Sequence, residues 1–224
     1  MNIDIMGLLQ NVIIWAPGIL LAITLHEWGH GYMAYRMGDH TAKMMGRLSL
    51  NPIVHIDLVW TILVPIAMLV TSTLTMGTPF VLGGAKPVPV QPRNFKVPVK
   101  FAMLWVALAG PGINFILATV AALLIQPALL LPAYFAHPLI MILQAMIFMN
   151  VLLGVFNLLP IPPLDGGRVA VSLLPHPLDR YLAGLERFGL PLVIILAFSG
   201  LLGRIIWPVI DQVNMLFFGL AGMV

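Results

Sequence analysis

The chain has 224 residues, of which 60% are hydrophobic and only 8% are charged. A soluble domain carries about 25% charged residues, so this composition excludes an ordinary soluble protein. It favours one membrane-embedded domain over residues 1–224, with a core at about 8–170 and C-terminal membrane segments at 189–224. The net charge of +3 gives no reason to expect a nucleic-acid partner, and the lack of cysteine excludes thiolate ligands.

Five apolar stretches approach the length of a membrane helix, which needs about 20 residues. In chain order they are residues 8–35, 58–76, 101–126, 138–158 and 189–209. The tail at 210–224 is predicted to be an interfacial helix or half of a hairpin. The sequence therefore predicts an all-α polytopic membrane protein with about five to six membrane helices.

The first apolar stretch contains the motif HEWGH at residues 26–30. Because His26 and His30 are four residues apart, a helix projects both imidazoles from one face, where they can bind one zinc ion. Glu27 can then act on a water at the metal, as in zinc peptidases with the same spacing. Ionisable residues are costly inside a bilayer, and their presence there indicates a functional site.

A catalytic zinc site usually has three protein ligands. Asp165 is the best candidate for the third ligand, because it follows an apolar helix and a proline run in NLLPIPPLDGG at 157–167. The prolines end the helix and the glycines let the chain turn, which can present Asp165 inward. We expect one zinc ion per chain. His40 and His55 are interpreted as ordinary loop histidines.

The second apolar stretch is predicted to belong to a re-entrant unit. If residues 58–76 enter the membrane and return with the Gly- and Pro-rich stretch GTPFVLGGAKPVPVQP at 77–92, every Lys and Arg except Arg204 falls on one side. The positive-inside rule makes that side cytoplasmic. Non-helical backbone is tolerated at membrane depth where it lines a cavity, so we expect this extended segment near the zinc site.

Several motifs together suggest a family. HEWGH at 26–30 with NLLPIPPLDGG at 157–167 resembles the site-2 protease family of intramembrane zinc metalloproteases. Three further segments are similar to its small bacterial or archaeal subgroup without PDZ or CBS domains: GDHTAKMMGRLSLNPIVHID at 38–57, GGAKPVPVQPRNF at 83–95 and AGPGINF at 109–115.

The resemblance implies a zinc centre with the same ligands and the same general base as the spacing suggests, namely His26, His30, Asp165 and Glu27. It also implies that Asn157 and Asn114 line the site. Asn157 is then the candidate amide donor to the oxyanion of peptide hydrolysis, and Asn114 a candidate substrate contact. An equally good interpretation is that Asn114 bridges closely packed helices.

The substrate implied is a transmembrane segment of another protein, which must unwind locally before attack. The extended segment can hold the unwound chain by strand addition, with Lys86 and Pro87 as candidate substrate-binding residues. Its prolines lack donors and limit such pairing to one edge. Lys86 also has a simpler explanation as a topology signal in contact with lipid headgroups. The expected location is a prokaryotic inner membrane, with the active-site side facing the cytoplasm.

Two other functions fit part of the pattern. A metal transporter would use intramembrane His and Asp residues as a transit site, but the sequence offers no second inward cluster of such ligands. An inactive homologue that acts as a binding protein would normally have lost Glu27 or a metal ligand, and all of them are present. The sequence therefore favours a zinc-dependent endopeptidase that cleaves within or next to transmembrane segments.

Overall fold

The computed structural model describes residues 5–76 and 83–223, and these residues form helices and connecting segments without a strand. The helices are α1 (Ile5–Arg36), α2 (Thr41–Met44), α3 (Val64–Met76), α4 (Val99–Ala128), α5 (Ala133–Asn157), α6 (Asp165–Leu173), α7 (Leu178–Gly184), α8 (Glu186–Phe198) and α9 (Leu201–Leu220). Short 3₁₀ turns occupy Pro52–His55 and Pro92–Asn94, and a π-helical turn occupies Leu58–Leu63. The prediction of an all-α protein is confirmed.

Four helices are long and apolar enough to cross a membrane, namely Leu9–Arg36 within α1 and the whole of α4, α5 and α9. A fifth crossing exists if α7 and α8, which meet at a bend of 62°, form one broken span. Five spans match the lower end of the predicted five to six. The chain is an integral membrane protein.

The predicted membrane helix at 189–209 is wrong in its boundaries. α8 ends at Phe198, and α9 begins at Leu201. Between them Gly200 adopts a left-handed conformation with φ of 73°, which ends a helix and which glycine adopts at little cost. Hydropathy could not reveal this break because the apolar composition continues through it. The tail from residue 210 continues α9 up to Leu220.

The second apolar stretch forms the π-helical turn and α3. Asp57 is the N-cap of the π-helical turn, since its carboxylate accepts hydrogen bonds from the backbone N–H groups of Val59 and Trp60. The π-helical turn and α3 follow each other without a break from Leu58 to Met76, and the re-entrant course of this stretch stays a prediction. Residues 77–82 of the predicted re-entrant stretch lie outside the described residues. Residues 83–91 run without helical structure before the chain reaches α4.

Small residues let α1 and α4 approach closely, as is common where membrane helices pack. A Cβ on Gly29 of α1 would lie 3.0 Å from the carbonyl oxygen of Ala109 on α4, so the two backbones are almost in contact. On the C-terminal side of this crossing, α4 packs with α5, α8 and α9 around an apolar core that includes Ile125, Ile147, Val193 and Ile206. The crossing places HEWGH directly against the middle of α4.

Candidate active site

The two histidines of HEWGH share one face of α1, because the helix runs unbroken from Ile5 to Arg36. Their Nε2 atoms are 3.0 Å apart and their rings meet edge to face. His26 is only 6% exposed. Both rings therefore direct the same nitrogen to one buried point.

Asp165 reaches this point from the first turn of α6. Its Oδ2 lies 3.2 Å from Nε2 of His26 and 3.2 Å from Nε2 of His30. The two glycines after Asp165 are required by close backbone packing. A Cβ on Gly166 would overlap the carbonyl oxygen of Leu158, and a Cβ on Gly167 would overlap the backbone nitrogen of Pro162. The start of α6 therefore rests on the proline run, which fixes the position of Asp165.

Hydrogen bonds behind the rings determine which nitrogens are free. Nδ1 of His30 lies 2.7 Å from the carbonyl oxygen of Val106, which can only accept, so Nδ1 donates and Nε2 of the neutral ring keeps its lone pair. Nδ1 of His26 donates in the same way to Oδ1 of Asn114 at 2.7 Å. Oδ2 of Asp165 is buried and receives no hydrogen bond. With both rings in this neutral tautomer, three lone pairs face one another.

A cation is the natural partner of these three acceptors. Two imidazoles and a carboxylate form the ligand set of hydrolytic zinc sites, which keep a fourth position open. The observed separations of 3.0 to 3.2 Å are close to the edge of about 3.3 Å in a tetrahedron with zinc bonds of about 2.0–2.1 Å. The three residues therefore fit zinc.

Glu27 belongs to the same motif but is not one of the three ligands. Its Oε2 accepts a hydrogen bond of 2.9 Å from the backbone N–H of Val88. Val88 lies in the non-helical segment 83–91, so this segment contacts the site, as the sequence predicted. Glu27 directly follows the ligand candidate His26 on α1, and its role as the general base stays a prediction.

Alternate residues tie the segment 83–91 to the protein. The N–H of Gly84 donates to the Trp60 carbonyl at 3.0 Å, and the N–H of Lys86 donates to the His55 carbonyl at 2.8 Å. The Lys86 carbonyl in turn accepts from Arg47 at 2.7 Å. This alternation with Val88 indicates an extended backbone whose even-numbered residues direct their N–H groups toward the protein.

The loop histidines have structural surroundings. His55 is 1% exposed, and its Nε2 lies 2.8 Å from the carbonyl oxygen of Ser49. His40 is exposed and lies edge-on against Tyr35. Neither belongs to the metal-binding cluster found among the described residues.

Asp39 binds the C-terminal end of the segment 83–91. It is fully buried, and its carboxylate accepts from the backbone N–H of Gln91 at 2.6 Å, from Asn94 at 3.0 Å and from Thr41. Burial alone would raise the pKa of Asp39, but these hydrogen bonds to the ionised form outweigh it and hold the pKa below its ordinary value.

Asn114 and Asn150 lie behind the histidines. Asn114 is fully buried and its amide nitrogen donates to the carbonyl of Ala22 at 3.1 Å and to Oδ1 of Asn150 at 2.9 Å. With its oxygen bound to His26, Asn114 has no exposed atom for a substrate in this structure. It bridges α1, α4 and α5, the second interpretation that the sequence allowed.

The other predicted residues lie nearer the surface. Asn157 is the last residue of α5, and its amide donates to the carbonyl of Leu153 at 3.0 Å. Its role as oxyanion donor stays a prediction. Lys86 and Pro87 are exposed on the segment 83–91, where a bound chain could contact them.

Sequence reasoning missed two residues of the site. Asn150 precedes Asn157 by seven residues and shares its helix face, a spacing that could have drawn attention to it in an apolar helix. Gly110, within AGPGINF, lies against both histidine rings. A Cβ there would overlap Nε2 of His30 and would lie 2.7 Å from Cε1 of His26.

The fold and the site define a membrane-embedded metallopeptidase. Comparison with known proteins agrees: the profile of peptidase family M50 matches residues 125–196. The Bacillus subtilis protein YwhC, provisionally named a zinc metalloprotease, is 36% identical over 86% of this chain and 84% of its own length. The chain belongs to peptidase family M50, the site-2 protease family.

Other relatives are similar. Rip2 of Mycolicibacterium smegmatis, also provisionally named a zinc metalloprotease, is 34% identical over 84% of the chain and 67% of its own length. The zinc metalloprotease MJ0392 of Methanocaldococcus jannaschii is 27% identical over 75% of the chain and 38% of its own length. No solved structure matches the chain significantly. The predicted family and a zinc-dependent membrane protease acting on membrane proteins are confirmed.

Proposed function

We propose that this protein is an intramembrane endopeptidase in which His26, His30 and Asp165 bind one zinc ion and Glu27 is the general base. The observation that carries the proposal is the convergence of three potential ligand atoms at 3.0 to 3.2 Å, with a carboxylate on the next residue of the motif that is not one of them. Metal-assisted peptide hydrolysis needs both a metal site and a separate base.

Glu27 transfers the proton in this mechanism. When bound, zinc supplies a Lewis acid and lowers the pKa of water to about 7. Glu27 takes a proton from the attacking water and delivers it to the leaving amine. Since the Val88 N–H holds one carboxylate oxygen, the other is free for this transfer. Asn157 would donate its amide to the oxyanion, in exchange for its bond to the Leu153 carbonyl.

The extended segment is the proposed binding surface for an unwound transmembrane substrate. Its inward N–H groups at Gly84, Lys86 and Val88 are already bonded within the protein. The opposite edge carries Pro87 and Pro89, which have no N–H and can only accept through their carbonyls, and the Pro87 carbonyl already receives a long hydrogen bond of 3.4 Å from Arg47. A substrate strand would therefore act mainly as the donor, and pairing is restricted to this one edge.

The proposed location is a prokaryotic inner membrane, with the active-site side facing the cytoplasm. Basic residues support it, since every Lys and Arg except Arg204 lies from the end of α1 to the start of α4 or from α6 to the start of α8. The connection between α4 and α5 contains none. Short loops with this bias stay in the cytoplasm. We also propose that residues 1–224 act as one domain.

A transporter or an inactive homologue is less well supported. Among residues 5–76 and 83–223, one cluster of three or more potential metal ligands is found, whereas a transport path needs further sites along its length. The carboxylate of Glu27 is present and held by a hydrogen bond, which an inactive homologue does not need.

Substitution of Glu27 by Gln tests the mechanism. Glu27→Gln should keep its zinc while cleavage of a transmembrane test substrate in lipid nanodiscs falls by about 10²–10⁴-fold, because the amide cannot accept the water proton. Asp165→Ala should lose most of its zinc, because only two protein ligands remain. Zinc content is measured by elemental analysis of the purified protein.

The chain provides a matched control in Glu186, an exposed residue with a long ion pair of 3.7 Å to Arg168. Glu186→Gln makes the same chemical change away from the site and should cleave like the wild type. Unchanged cleavage by Glu27→Gln would remove the residue as the base. Full zinc occupancy in Asp165→Ala would remove that residue from the ligand set.

A further inference from the structure

A buried amide on α5 lies behind the metal site. Asn150 is 0% exposed in the middle of a strongly apolar helix. An amide without partners is costly in such surroundings, so its hydrogen bonds indicate why it is tolerated there. Its Nδ2 donates to the Met146 carbonyl at 2.9 Å, and its Oδ1 accepts from Nδ2 of Asn114 at 2.9 Å.

The direction of each hydrogen bond is determined by backbone carbonyls. The Met146 carbonyl can only accept, so the NH₂ group of Asn150 must face it and Oδ1 must face Asn114. Asn114 therefore directs its own NH₂ group at Asn150 and at the Ala22 carbonyl. Only its oxygen remains for Nδ1 of His26, at 2.7 Å.

The direction of these hydrogen bonds determines which nitrogen of the His26 ring carries the proton. An acceptor opposite Nδ1 of His26 requires the ring proton to reside on Nδ1, which leaves Nε2 bare toward Asp165. If Asn114 turned its amide over, its NH₂ group would face Nδ1 and would favour the other tautomer. In that tautomer Nε2 carries the proton and cannot bind a metal.

We propose that Asn150 is a positioning residue, which acts through Asn114 to hold His26 in the metal-binding tautomer. Asn150 supplies one of the two acceptors that keep the Asn114 amide from turning over, and the Ala22 carbonyl supplies the other. The inference rests on the proposed zinc site and deepens it. It assigns a role to a residue that contacts neither metal nor substrate.

Three variants test the inference by zinc affinity, measured by chelator competition on the purified full-length protein. Asn150→Leu fills the space without an acceptor, and its zinc dissociation constant should rise by roughly tenfold, at the lower end of the 10- to 100-fold usual for such supporting residues. A protonated Asn150→Asp can donate its O–H to the Met146 carbonyl and keep its other oxygen facing Asn114, so its affinity should stay within about threefold of the wild type.

The third variant is the control. Asn214 on α9 is also a buried amide in an apolar helix, 7% exposed, but it lies outside the metal-binding cluster. Asn214→Leu should bind zinc like the wild type. Equal losses in the Leu variants of Asn150 and Asn214 would indicate a general effect of removing a buried amide and would overturn the inference, as would wild-type affinity in Asn150→Leu.

If Asn150→Leu does not fold, Asn150→Ala replaces it and the tautomer of His26 is measured instead of the zinc affinity. Nitrogen-15 shifts of the His26 ring in zinc-free protein, assigned with a His26→Gln variant, report the tautomer directly. They should move toward the Nε2-protonated form in Asn150→Ala and not in Asn150→Asp. An unchanged tautomer refutes the inference, while the outcome for Glu27→Gln cleavage decides the proposed function separately.

Discussion

Gly110 offers a sensitive test of the metal site because α4 passes so close to the histidines. In Gly110→Ala the new Cβ would lie 2.7 Å from Cε1 of His26, about 0.7 Å inside the 3.4 Å at which ordinary contact begins, and it would overlap Nε2 of His30. The new Cβ thus overlaps the two imidazole rings that carry the ligand atoms. The overlap can be removed only if the rings or the helices α1 and α4 move.

The required displacement is large for a metal site. Ligand distances must hold within about ±0.2 Å, and a shift of about 0.7 Å exceeds that more than threefold. A misplacement of about 1 Å costs about 10²-fold in a catalytic site. We therefore expect the zinc dissociation constant of Gly110→Ala to rise by about 100-fold, with a comparable loss of cleavage. Overpacking should lower stability by about 1–3 kcal/mol.

Gly112, two residues further along α4, is the matched control, since a Cβ there would meet no atom within 4 Å. Zinc affinity and cleavage are measured for both alanine variants, and thermal unfolding of the zinc-free proteins reports their stability. Gly112→Ala should resemble the wild type in all three. Tight zinc binding by Gly110→Ala, or an equal loss in both variants, would refute the described approach of α4 to the ligands.

Three further predictions concern the surroundings of the site. Val88→Pro removes the N–H that holds Glu27, so cleavage should fall about tenfold or more while the zinc content stays unchanged. The control Val88→Ala keeps the N–H and should keep most of the activity. Equal losses of cleavage in the two variants would contradict the role of the Val88 N–H. Folding lowers the pKa of Asp39, so the ionised carboxylate stabilises the folded protein. This contribution to the free energy of unfolding should be complete above about pH 4 and should be lost as the pH falls through the folded-state pKa of Asp39. The gap in unfolding temperature between wild type and Asp39→Asn should therefore narrow below about pH 4, and a constant gap would refute it. In this cysteine-free chain, Met44→Cys and Val99→Cys should react with an impermeant thiol reagent only after the membrane is opened, and Leu130→Cys in intact cells; labelling of Met44→Cys and Val99→Cys from opposite sides would show that the segment between them crosses.

The chemistry-bearing residues could be predicted because their signals are local. The four-residue spacing of His26 and His30 and the proline and glycine residues around Asp165 act over one or two turns of chain. The roles of Asn150 and Gly110 depend on which helix lies opposite, and an apolar sequence does not specify that. Gly200 was missed for a related reason, since one glycine within a continuous apolar run leaves mean hydropathy almost unchanged.

The ligands of the proposed zinc site come from distant parts of the chain, with about 135 residues between His30 and Asp165. A ribosome adds about 5–20 residues per second, so the histidines are synthesised roughly 7–27 s before Asp165. Metal insertion therefore belongs to the end of biosynthesis, when α6 docks against α1 and α4. In a cell short of zinc, chains would accumulate with their helices packed but without the proposed ion between His26, His30 and Asp165.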